Sequence, residues 1–426
     1  AVAAGRVSRR AGVYCSDGTL YRQRAARRRN ARLLESLVAT NELGDEFTLA
    51  QLAALSTSNP ELRRNELMTR VKGLEVIAEA RGDSGLFVTW TLESKYHAVH
   101  AATGEKNAAY DPSLTPKAGN ATLAARWALC RARLAGRGIR LYGLRVAEPH
   151  HDGTPHWHLL LFLPPEHEPA ARAVMSELAL SEGADEPGAR KYRIKYERIN
   201  RTKGSAVAYV AKYLAKNVDG HQLEVAVERG ADGALQLNSD DPKTAAERIR
   251  AWASTWGIRQ FQFFGVPPVT WWRELRRMND ESPVPQIEAA RAPADAGDYA
   301  AHVRAAGGVC CPRDQLPLFT WRELTGETGR YEEAMPAAIR GVGAATMLRT
   351  EGGSWPLVLG LALTRVHSWS VAPRVEDAAF PWTRVNNCNR AGEPADFVSL
   401  PGGGPGGVIA AAVDAGRAAE QSTPPA

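Results

Sequence analysis

The alternation of apolar and polar residues divides the middle of the chain into strand and helix segments. Apolar or alternating runs bounded by turn residues predict strands at 86–92, 139–148, 156–164, 192–199 and 258–264. Helical spacing predicts helices at 121–138, 169–183 and 205–217. The second and third strands flank a turn marked by Asp152-Gly153, which indicates a hairpin. We therefore predict an α+β fold whose central, largely antiparallel sheet of about five strands has flanking helices.

The segment from 1 to 85 is predicted to form a helical region that precedes this sheet. Thr48 and Gln51 have the spacing of a capping box, in which two side chains satisfy backbone amides at a helix start. The sequence NPE at 59–61 supplies a capping Asn, a proline at the first helical position and an acid. We expect the helix that begins there to run to about Arg81, where Gly82 ends it.

The pattern weakens beyond residue 280. Residues 281–297 are interpreted as a linker, whereas 298–390 are long enough to fold but contain no chemical motif. The tail from 401 is rich in Gly, Ala and Pro and is predicted to be disordered. The chain begins with Ala rather than Met, so we expect its initiating residue to lie upstream. The predicted divisions are a helical basic region, a sheet domain, a C-terminal region of unknown role and a tail, at 1–85, 86–280, 281–400 and 401–426.

The charge distribution is more informative than the net charge, since 53 Lys and Arg face 47 Asp and Glu. Residues 21–34 carry six arginines and no acid, at positions 22, 24, 27, 28, 29 and 32. Residues 190–216 carry nine Lys or Arg and one acid. Basic stretches of this kind suit a polyanion such as nucleic acid, and the alternative is a solvated helix face. The candidate DNA-binding residues are Arg27, Arg28, Arg29 and Lys216.

Cysteine use and hydropathy exclude several classes of protein. The five cysteines are scattered and form no C-x-x-C motif, which argues against a disulfide framework and a cysteine zinc site. At 44% hydrophobic residues the chain can bury a core, but no apolar run approaches the ~18 residues of a membrane span. We recognise no secretory signal. We expect a protein of the reducing cytoplasm that has no membrane partner.

Two histidines lie at the start of a predicted apolar strand in the sequence EPHHDGTPHWHLLLFLPP, residues 148–165. His156 and His158 are two apart and therefore point to the same face. In a tight hairpin closed by 149–155, Glu148 lies directly opposite His156 and shares that face. Two imidazoles and a carboxylate can then hold a divalent metal and leave positions open for substrate. The alternative is a pair of strand-end histidines that make ordinary hydrogen bonds.

Two other histidine motifs are excluded by the residues that follow. A histidine-triad hydrolase needs a third histidine where this chain has Leu160, and a metallo-β-lactamase-type nuclease needs polar ligands at Leu160 and Leu161. His150 and His151 remain possible ligands, but they lie in the turn and their directions are less fixed.

A tyrosine pair follows in AYVAKYLAKN. Tyr209 and Tyr213 are four apart on the predicted helix and share one face, and Lys212 and Lys216 repeat at the same spacing. Such a pair often packs in a core, which is the alternative here. A tyrosine hydroxyl is a poor nucleophile unless it is activated, and a nearby ammonium would favour the phenolate. With a metal on the scissile phosphate, the product of attack would be a covalent phosphotyrosine.

At these residues the chain resembles a known family. The segments FVTWTL, HWHLLLF and YVAKYLAK are similar to the three motifs of HUH endonucleases, in that order. The paired tyrosines resemble those of two-tyrosine rolling-circle initiators. The family that the chain resembles most is the bacteriophage replication gene A protein family, to which RVAEPHHDGTPHWHLLLF, QFFGVPPVTWWRELRR and ATNELGDEFTLAQLAALSTSNPELRRNELMTR are similar. The resemblance covers residues 20–280.

The resemblance implies a DNA nicking and joining enzyme. Such proteins hold Mg²⁺ or Mn²⁺ through two histidines and a third polar ligand, here His156, His158 and Glu148. One tyrosine cleaves origin single-stranded DNA, becomes linked to the 5′ phosphate and frees a 3′ hydroxyl, and the second closes the cycle. Tyr209 and Tyr213 would be these nucleophiles, with Lys212 as an assistant. The implied partners are single-stranded origin DNA and the host replicative helicase and polymerase, in a bacterial host cell.

Two other functions remain open at this level. One is an origin-binding prophage remnant that has lost catalysis, although the intact histidines, glutamate and tyrosines argue against it. The other is a mobilisation relaxase or a transposase that shares the core, which only the wider resemblance disfavours.

Overall fold

The fold is described from a computed structural model. It describes residues 2, 6–9, 11–100, 103–200, 205–218, 228–229, 235–236, 242–324, 326, 335–350 and 353–374. The predicted disordered tail at 401–426 lies outside these residues. The side chains of Lys212 and Lys216 also lie outside what is described, although their backbone belongs to a helix.

Eleven helices are present in the described part of the chain. In chain order they are α1 (Asp17–Ser36), α2 (Leu49–Ala54), α3 (Pro60–Arg81), α4 (Pro116–Ala135), α5 (Glu168–Ala179), α6 (Ala189–Tyr192), α7 (Ala206–Val218), α8 (Pro242–Trp256), α9 (Val269–Leu275), α10 (Pro285–Asp295) and α11 (Tyr299–Ala305). No described helix is both long and apolar enough to cross a lipid bilayer.

Thirteen strands accompany the helices within the same described residues. They are β1 (Leu37–Asn41), β2 (Glu46–Thr48), β3 (Ser84–Trp90), β4 (Tyr142–Pro149), β5 (Pro155–Leu163), β6 (Ile194–Arg198), β7 (Glu228–Arg229), β8 (Leu235–Gln236), β9 (Phe261–Phe264), β10 (Leu318–Glu323), β11 (Ala338–Thr350), β12 (Gly353–Leu363) and β13 (Trp369–Pro373).

The central sheet has five strands in the order β6-β3-β5-β4-β9, and every neighbouring pair is antiparallel. The predicted α+β fold with a largely antiparallel sheet and flanking helices is therefore confirmed. The predicted hairpin is β4–β5, and its turn contains Gly153 with φ +85°, a conformation that favours glycine. Its register places Glu148 opposite His156, as the sequence predicts.

The two faces of this sheet are covered by different helices. On one face, Leu160 and Phe162 of β5 belong to an apolar cluster with residues of α3 and α7. On the other face, Trp157 and Leu159 belong to a second cluster with residues of α4, α5 and α8. All nine residues of β5 are buried for this reason. A strand with both faces covered reads as a continuous apolar run, so the histidines at its start stand out.

The N-terminal region is helical, as predicted, and the residues that cap α2 and α3 are those that the sequence predicts. Thr48 and Gln51 form the capping box at the start of α2. Asn59 caps α3, which runs to Arg81 and ends at Gly82 in the left-handed conformation. The sequence does not predict the two short strands β1 and β2, nor the pairing of β1 with β13, which lies near the other end of the described chain.

The interpretation of residues 281–297 as a linker is wrong. Most of this segment is helix α10, whose Ile287, Ala290 and Ala294 are fully buried. These residues belong to the same apolar cluster as Leu74 of α3 and Leu160 of β5. Strands β10, β11 and β12 form a three-stranded sheet that contributes to this cluster as well. The cluster therefore extends from the N-terminal region through the sheet to β12.

A buried ion-pair network lies beyond the end of β3. Glu93, only 1% exposed, pairs with Arg126 of α4 at 2.7 Å and with Arg193 at 3.0 Å. Arg193 also pairs with Glu186 at 2.7 Å. Buried charges are tolerated when each has a close partner of opposite sign. The network therefore holds in place the segment that leads into β6.

Candidate active site

The histidine pair and its glutamate converge at one end of the β4–β5 hairpin. Glu148, His156 and His158 are all buried, and their ligand atoms lie within 4.8 Å of one another. The Nε2 atoms of the two histidines are 3.0 Å apart, and His158 Nε2 is 3.9 Å from Glu148 Oε2. Two imidazole nitrogens and a carboxylate oxygen directed at one point are a donor set that suits a divalent cation. The predicted convergence is confirmed, and metal binding stays a prediction.

The ring of His158 is oriented by a hydroxyl on the neighbouring strand. Thr89 of β3 is opposite His158, and its Oγ1 lies 3.1 Å from His158 Nδ1. A hydrogen bond donated by Nδ1–H to this hydroxyl leaves the lone pair of Nε2 directed at the cluster. Metal-ligating histidines commonly have such a partner on the second nitrogen, because it fixes both tautomer and ring orientation.

The turn histidines do not join the donor set. The ring of His150 packs on His156 with centroids 4.0 Å apart, and His97 contacts His150 edge-on at 5.2 Å. His97 in turn hydrogen-bonds Asp152 at 3.0 Å. Burial would raise the pKa of Asp152, but this bond and the nearby imidazoles outweigh burial and lower the pKa. His151 points elsewhere, stacking on a tyrosine near the N terminus.

The tyrosine helix lies against the same face of the sheet. The ring centroid of Tyr213 is 4.2 Å from that of His158 and 5.1 Å from that of Phe87. The Tyr209 ring is 6.4 Å from Phe87, and both tyrosines are partly buried against the apolar cluster. They share one helical face, as predicted, and Tyr213 is the nearer to the histidines. Packing and catalysis are compatible for Tyr213, because its ring packs on the sheet beside the donor groups.

Asn217 connects this helix to the metal-binding candidates, through contacts that the sequence does not predict. Its side chain, 1% exposed, donates a hydrogen bond to Glu148 Oε1 and one of 2.6 Å to the carbonyl oxygen of Tyr213. Its Oδ1 accepts a bond of 3.0 Å from Gln260 Nε2. From the sequence, Asn217 is only the last residue of the helix predicted at 205–217. Its spacing of four from Tyr213, which places both on one face, was the available signal.

The N-terminal arginines have mixed surroundings. Arg27, Arg28 and Arg29 are exposed on α1. Arg24, also exposed, hydrogen-bonds Glu247 of α8 at 2.8 Å, so an acid from outside residues 21–34 partly neutralises this run. The acid comes from a helix that is remote along the chain, which the local sequence could not reveal. DNA contact by the exposed arginines stays a prediction.

The second basic stretch is also partly used inside the fold. Arg193 belongs to the buried ion-pair network, and Arg198 pairs with Glu168 at 2.6 Å. Not all of its charge is therefore available to a polyanion.

Comparison with known proteins assigns the family. A family model described as bacteriophage replication gene A protein (GPA) matches residues 1–221. The replication gene A protein of Escherichia phage P2 is 35% identical, over 91% of this chain and 52% of its own length. The replication protein of Haemophilus phage HP1 is 36% identical, over 92% and 50%. A probable replication endonuclease from a prophage-like region of Salmonella paratyphi A is 34% identical, over 90% and 48%.

The chain belongs to the bacteriophage replication gene A protein family. It spans about half the length of the curated relatives that it matches. No solved structure matches it.

Proposed function

We propose that this protein is a metal-dependent endonuclease and strand transferase that acts on single-stranded DNA at a phage replication origin. In this proposal it forms a 5′-phosphotyrosine link and both initiates and terminates rolling-circle replication. The observation that carries the proposal is the packing of Tyr213 on His158, with ring centroids 4.2 Å apart, beside the three convergent donor groups. The relatives from phage P2 and Salmonella paratyphi A support it, since one is a replication gene A protein and the other a probable replication endonuclease.

Glu148, His156 and His158 would hold the cation, Mg²⁺ or Mn²⁺. When bound there, it would supply positive charge beside the scissile phosphate and offset the negative charge that develops in the transition state. The surrounding residues keep the donors in place, since Thr89 orients His158 and β5 is buried on both faces. A fixed donor set needs little rearrangement when the substrate arrives.

The covalent step conserves the number of phosphate ester bonds. A tyrosine hydroxyl loses its proton to solvent and its oxygen attacks phosphorus, while the bond from phosphorus to the 3′ oxygen breaks. The departing 3′ oxygen takes up a proton and becomes the hydroxyl that a polymerase extends. The 5′ phosphate stays on the tyrosine as a diester, so attack by a 3′ hydroxyl can reverse the step and join strands. Lys212 is proposed to favour the phenolate.

Two tyrosines allow the protein to end a round of replication. While one remains attached to the first 5′ end, the other attacks the regenerated origin, and the freed 3′ end then closes the displaced circle. Tyr209 and Tyr213 share a helical face about one turn apart, so the same donor set could serve each in alternation once the scissile phosphate shifts from one hydroxyl toward the other. The process would use the host replicative helicase and polymerase in the bacterial cytoplasm.

The test is the trapping of the covalent intermediate. The full chain is incubated with single-stranded DNA from the phage origin region and Mg²⁺ or Mn²⁺, and the mixture is resolved under denaturing conditions. We expect a protein–DNA adduct whose attached peptide contains Tyr209 or Tyr213, and no adduct after metal chelation. His158→Ala should abolish the adduct but keep most DNA affinity, because phosphate contacts supply most non-specific binding. Binding of this DNA without any adduct from the unaltered protein would instead indicate a non-catalytic DNA-binding protein.

A further inference from the structure

A buried amide lies between the proposed nucleophile helix and the proposed metal ligands. Asn217 is in the last turn of α7, four residues after Tyr213, and is 1% exposed. Its Nδ2 donates to Glu148 Oε1 and to the Tyr213 carbonyl oxygen, and its Oδ1 accepts from Gln260 Nε2. One side chain therefore contacts the nucleophile helix, a candidate metal ligand and the residue that directly precedes β9.

The chemistry of the partners fixes the orientation of this amide. An ionised carboxylate and a backbone carbonyl only accept hydrogen bonds, so both must face the NH₂ group of Asn217. The remaining Oδ1 then needs a donor, which Gln260 supplies at 3.0 Å. Exchanging the positions of the amide oxygen and nitrogen would set oxygen against oxygen at Glu148 and leave a buried group unsatisfied. The amide therefore has one favourable orientation in this site.

The orientation of the amide determines that of the carboxylate. With Oε1 of Glu148 held by Asn217, Oε2 is directed at the histidines, 3.9 Å from His158 Nε2. The same NH₂ group holds the carbonyl of Tyr213, whose ring packs on His158. We propose that Asn217 is a positioning residue that aims Glu148 at the cation and ties the tyrosine helix to the same carboxylate. This inference rests on the proposed metal-dependent function.

A purely structural role for Asn217 makes a different prediction. An asparagine near a helix end that bonds the carbonyl four residues earlier contributes to helix stability alone. Its loss would lower the melting temperature without changing how tightly the protein binds a cation. Cation affinity, measured without DNA, therefore separates the two roles.

The experiment compares Mn²⁺ binding by the full-length protein and by Asn217→Ala, read from the electron paramagnetic resonance signal of free Mn²⁺. We expect Asn217→Ala to bind about 10- to 100-fold more weakly, the usual effect of removing a group that orients a metal ligand. Asn120→Ala is the matched control. Asn120 accepts a hydrogen bond of 2.9 Å from Trp157, which lies on β5 between the two histidines but on the opposite face. This variant removes a comparable amide contact and should keep the original affinity.

A second readout is the Mn²⁺ concentration that gives half-maximal adduct formation, which should rise by a similar factor in Asn217→Ala. Unchanged affinity in a folded Asn217→Ala protein would overturn the positioning role and leave the metal site intact. Equal binding by the unaltered protein and His158→Ala, or no binding by either, would overturn the proposed function as well. If circular dichroism shows that Asn217→Ala does not fold, Asn217→Asp replaces it. That nearly isosteric variant has no NH₂ group to donate to Glu148, so it should weaken binding in the same direction, and unchanged affinity would refute the inference.

Discussion

Substituting each tyrosine of α7 separately by phenylalanine tests which tyrosine performs the first cleavage and which the second. The change removes only the hydroxyl, so the packing of each ring on the sheet is kept and stability should change little. Tyr213 packs directly on His158, whereas the structure gives Tyr209 a contact with Phe87 at 6.4 Å. We expect the first cleavage of short single-stranded origin DNA to depend mainly on Tyr213.

The size of the effect follows from helix geometry. Four residues separate the two tyrosines by about 6 Å along the helix axis. A displacement of only ~1 Å from the reactive geometry can reduce a rate by ~10²-fold. Tyr213→Phe should therefore slow the first cleavage by at least about 100-fold, or about 2.7 kcal/mol. Tyr209→Phe should stay within about threefold of the original rate, since Tyr209 lies about 6 Å from Tyr213 along the helix axis and its hydroxyl is outside the reactive geometry of the first step.

The assay is the initial rate of adduct formation, followed by release of closed circles from a circular template. Both single variants should fail to complete circle release, and the double variant should form no adduct. Equal first-cleavage rates for Tyr209→Phe and Tyr213→Phe would refute the argument from distance. Release of closed circles at the normal rate by either variant would show that its missing tyrosine is a packing residue.

Three further outcomes are expected. Arg28→Ala combined with Arg29→Ala should weaken single-stranded DNA binding and reduce its logarithmic salt slope by about 1.4, since each phosphate contact contributes ~0.7. Arg193→Met should lower the free energy of unfolding by up to about 3–5 kcal/mol in urea titrations, because the buried Glu93 keeps Arg126 but loses its second arginine partner. Burial would raise the pKa of Glu274, but hydrogen bonds from Arg365 and from Thr364 lower it. The ionised carboxylate of Glu274 therefore stabilises the fold fully above the ordinary glutamate pKa of ~4.3. This stabilisation is lost as the pH falls through the lowered pKa of the folded state. In Glu274→Gln, the free energy of unfolding should depend less on pH in that acidic range.

Each of these outcomes has its own control. Arg24→Ala should change the salt slope less than Arg28→Ala or Arg29→Ala does, because Arg24 already pairs with Glu247. An unchanged slope in the double arginine variant would mean that this part of α1 is only a solvated surface. A loss below about 1 kcal/mol for Arg193→Met would contradict the importance of the buried network. The pH argument fails if Glu274→Gln shows the same acid dependence as the unaltered protein.

The sequence predicts the convergence of Glu148, His156 and His158 because the hairpin that carries them is local. A period of two fixes which side chains share a face, and the short turn fixes the register of the hairpin. These two facts alone place Glu148 opposite His156, as the structure has it. The tyrosines follow from helical spacing in the same way. Neither argument needed any knowledge of distant contacts.

The errors and omissions involve partners that are remote along the chain. Residues 281–297 have the Ala and Pro content of a linker, yet Ile287 and Ala294 lie on one face of α10 and pack on helices and strands far away in sequence. The pairing of β1 with β13 and the ion pair of Arg24 with Glu247 depend on similarly distant contacts. Asn217 is of the same kind, since its role depends on Glu148 and Gln260 arriving from other strands and loops.

Because β5 is the central strand, its two histidines, His156 and His158, separate from their neighbours only when the whole sheet opens. With β3 bonded along one edge and β4 along the other, the backbone amides of this strand exchange with solvent only when the sheet itself opens. If the proposed cation binds there, its loss and the opening of the sheet would be linked equilibria. A cation at about 100 times its dissociation constant would add about 2.7 kcal/mol to the free energy of that opening. The slowest-exchanging amides of the protein should therefore report on cation occupancy, even though they touch no cation themselves.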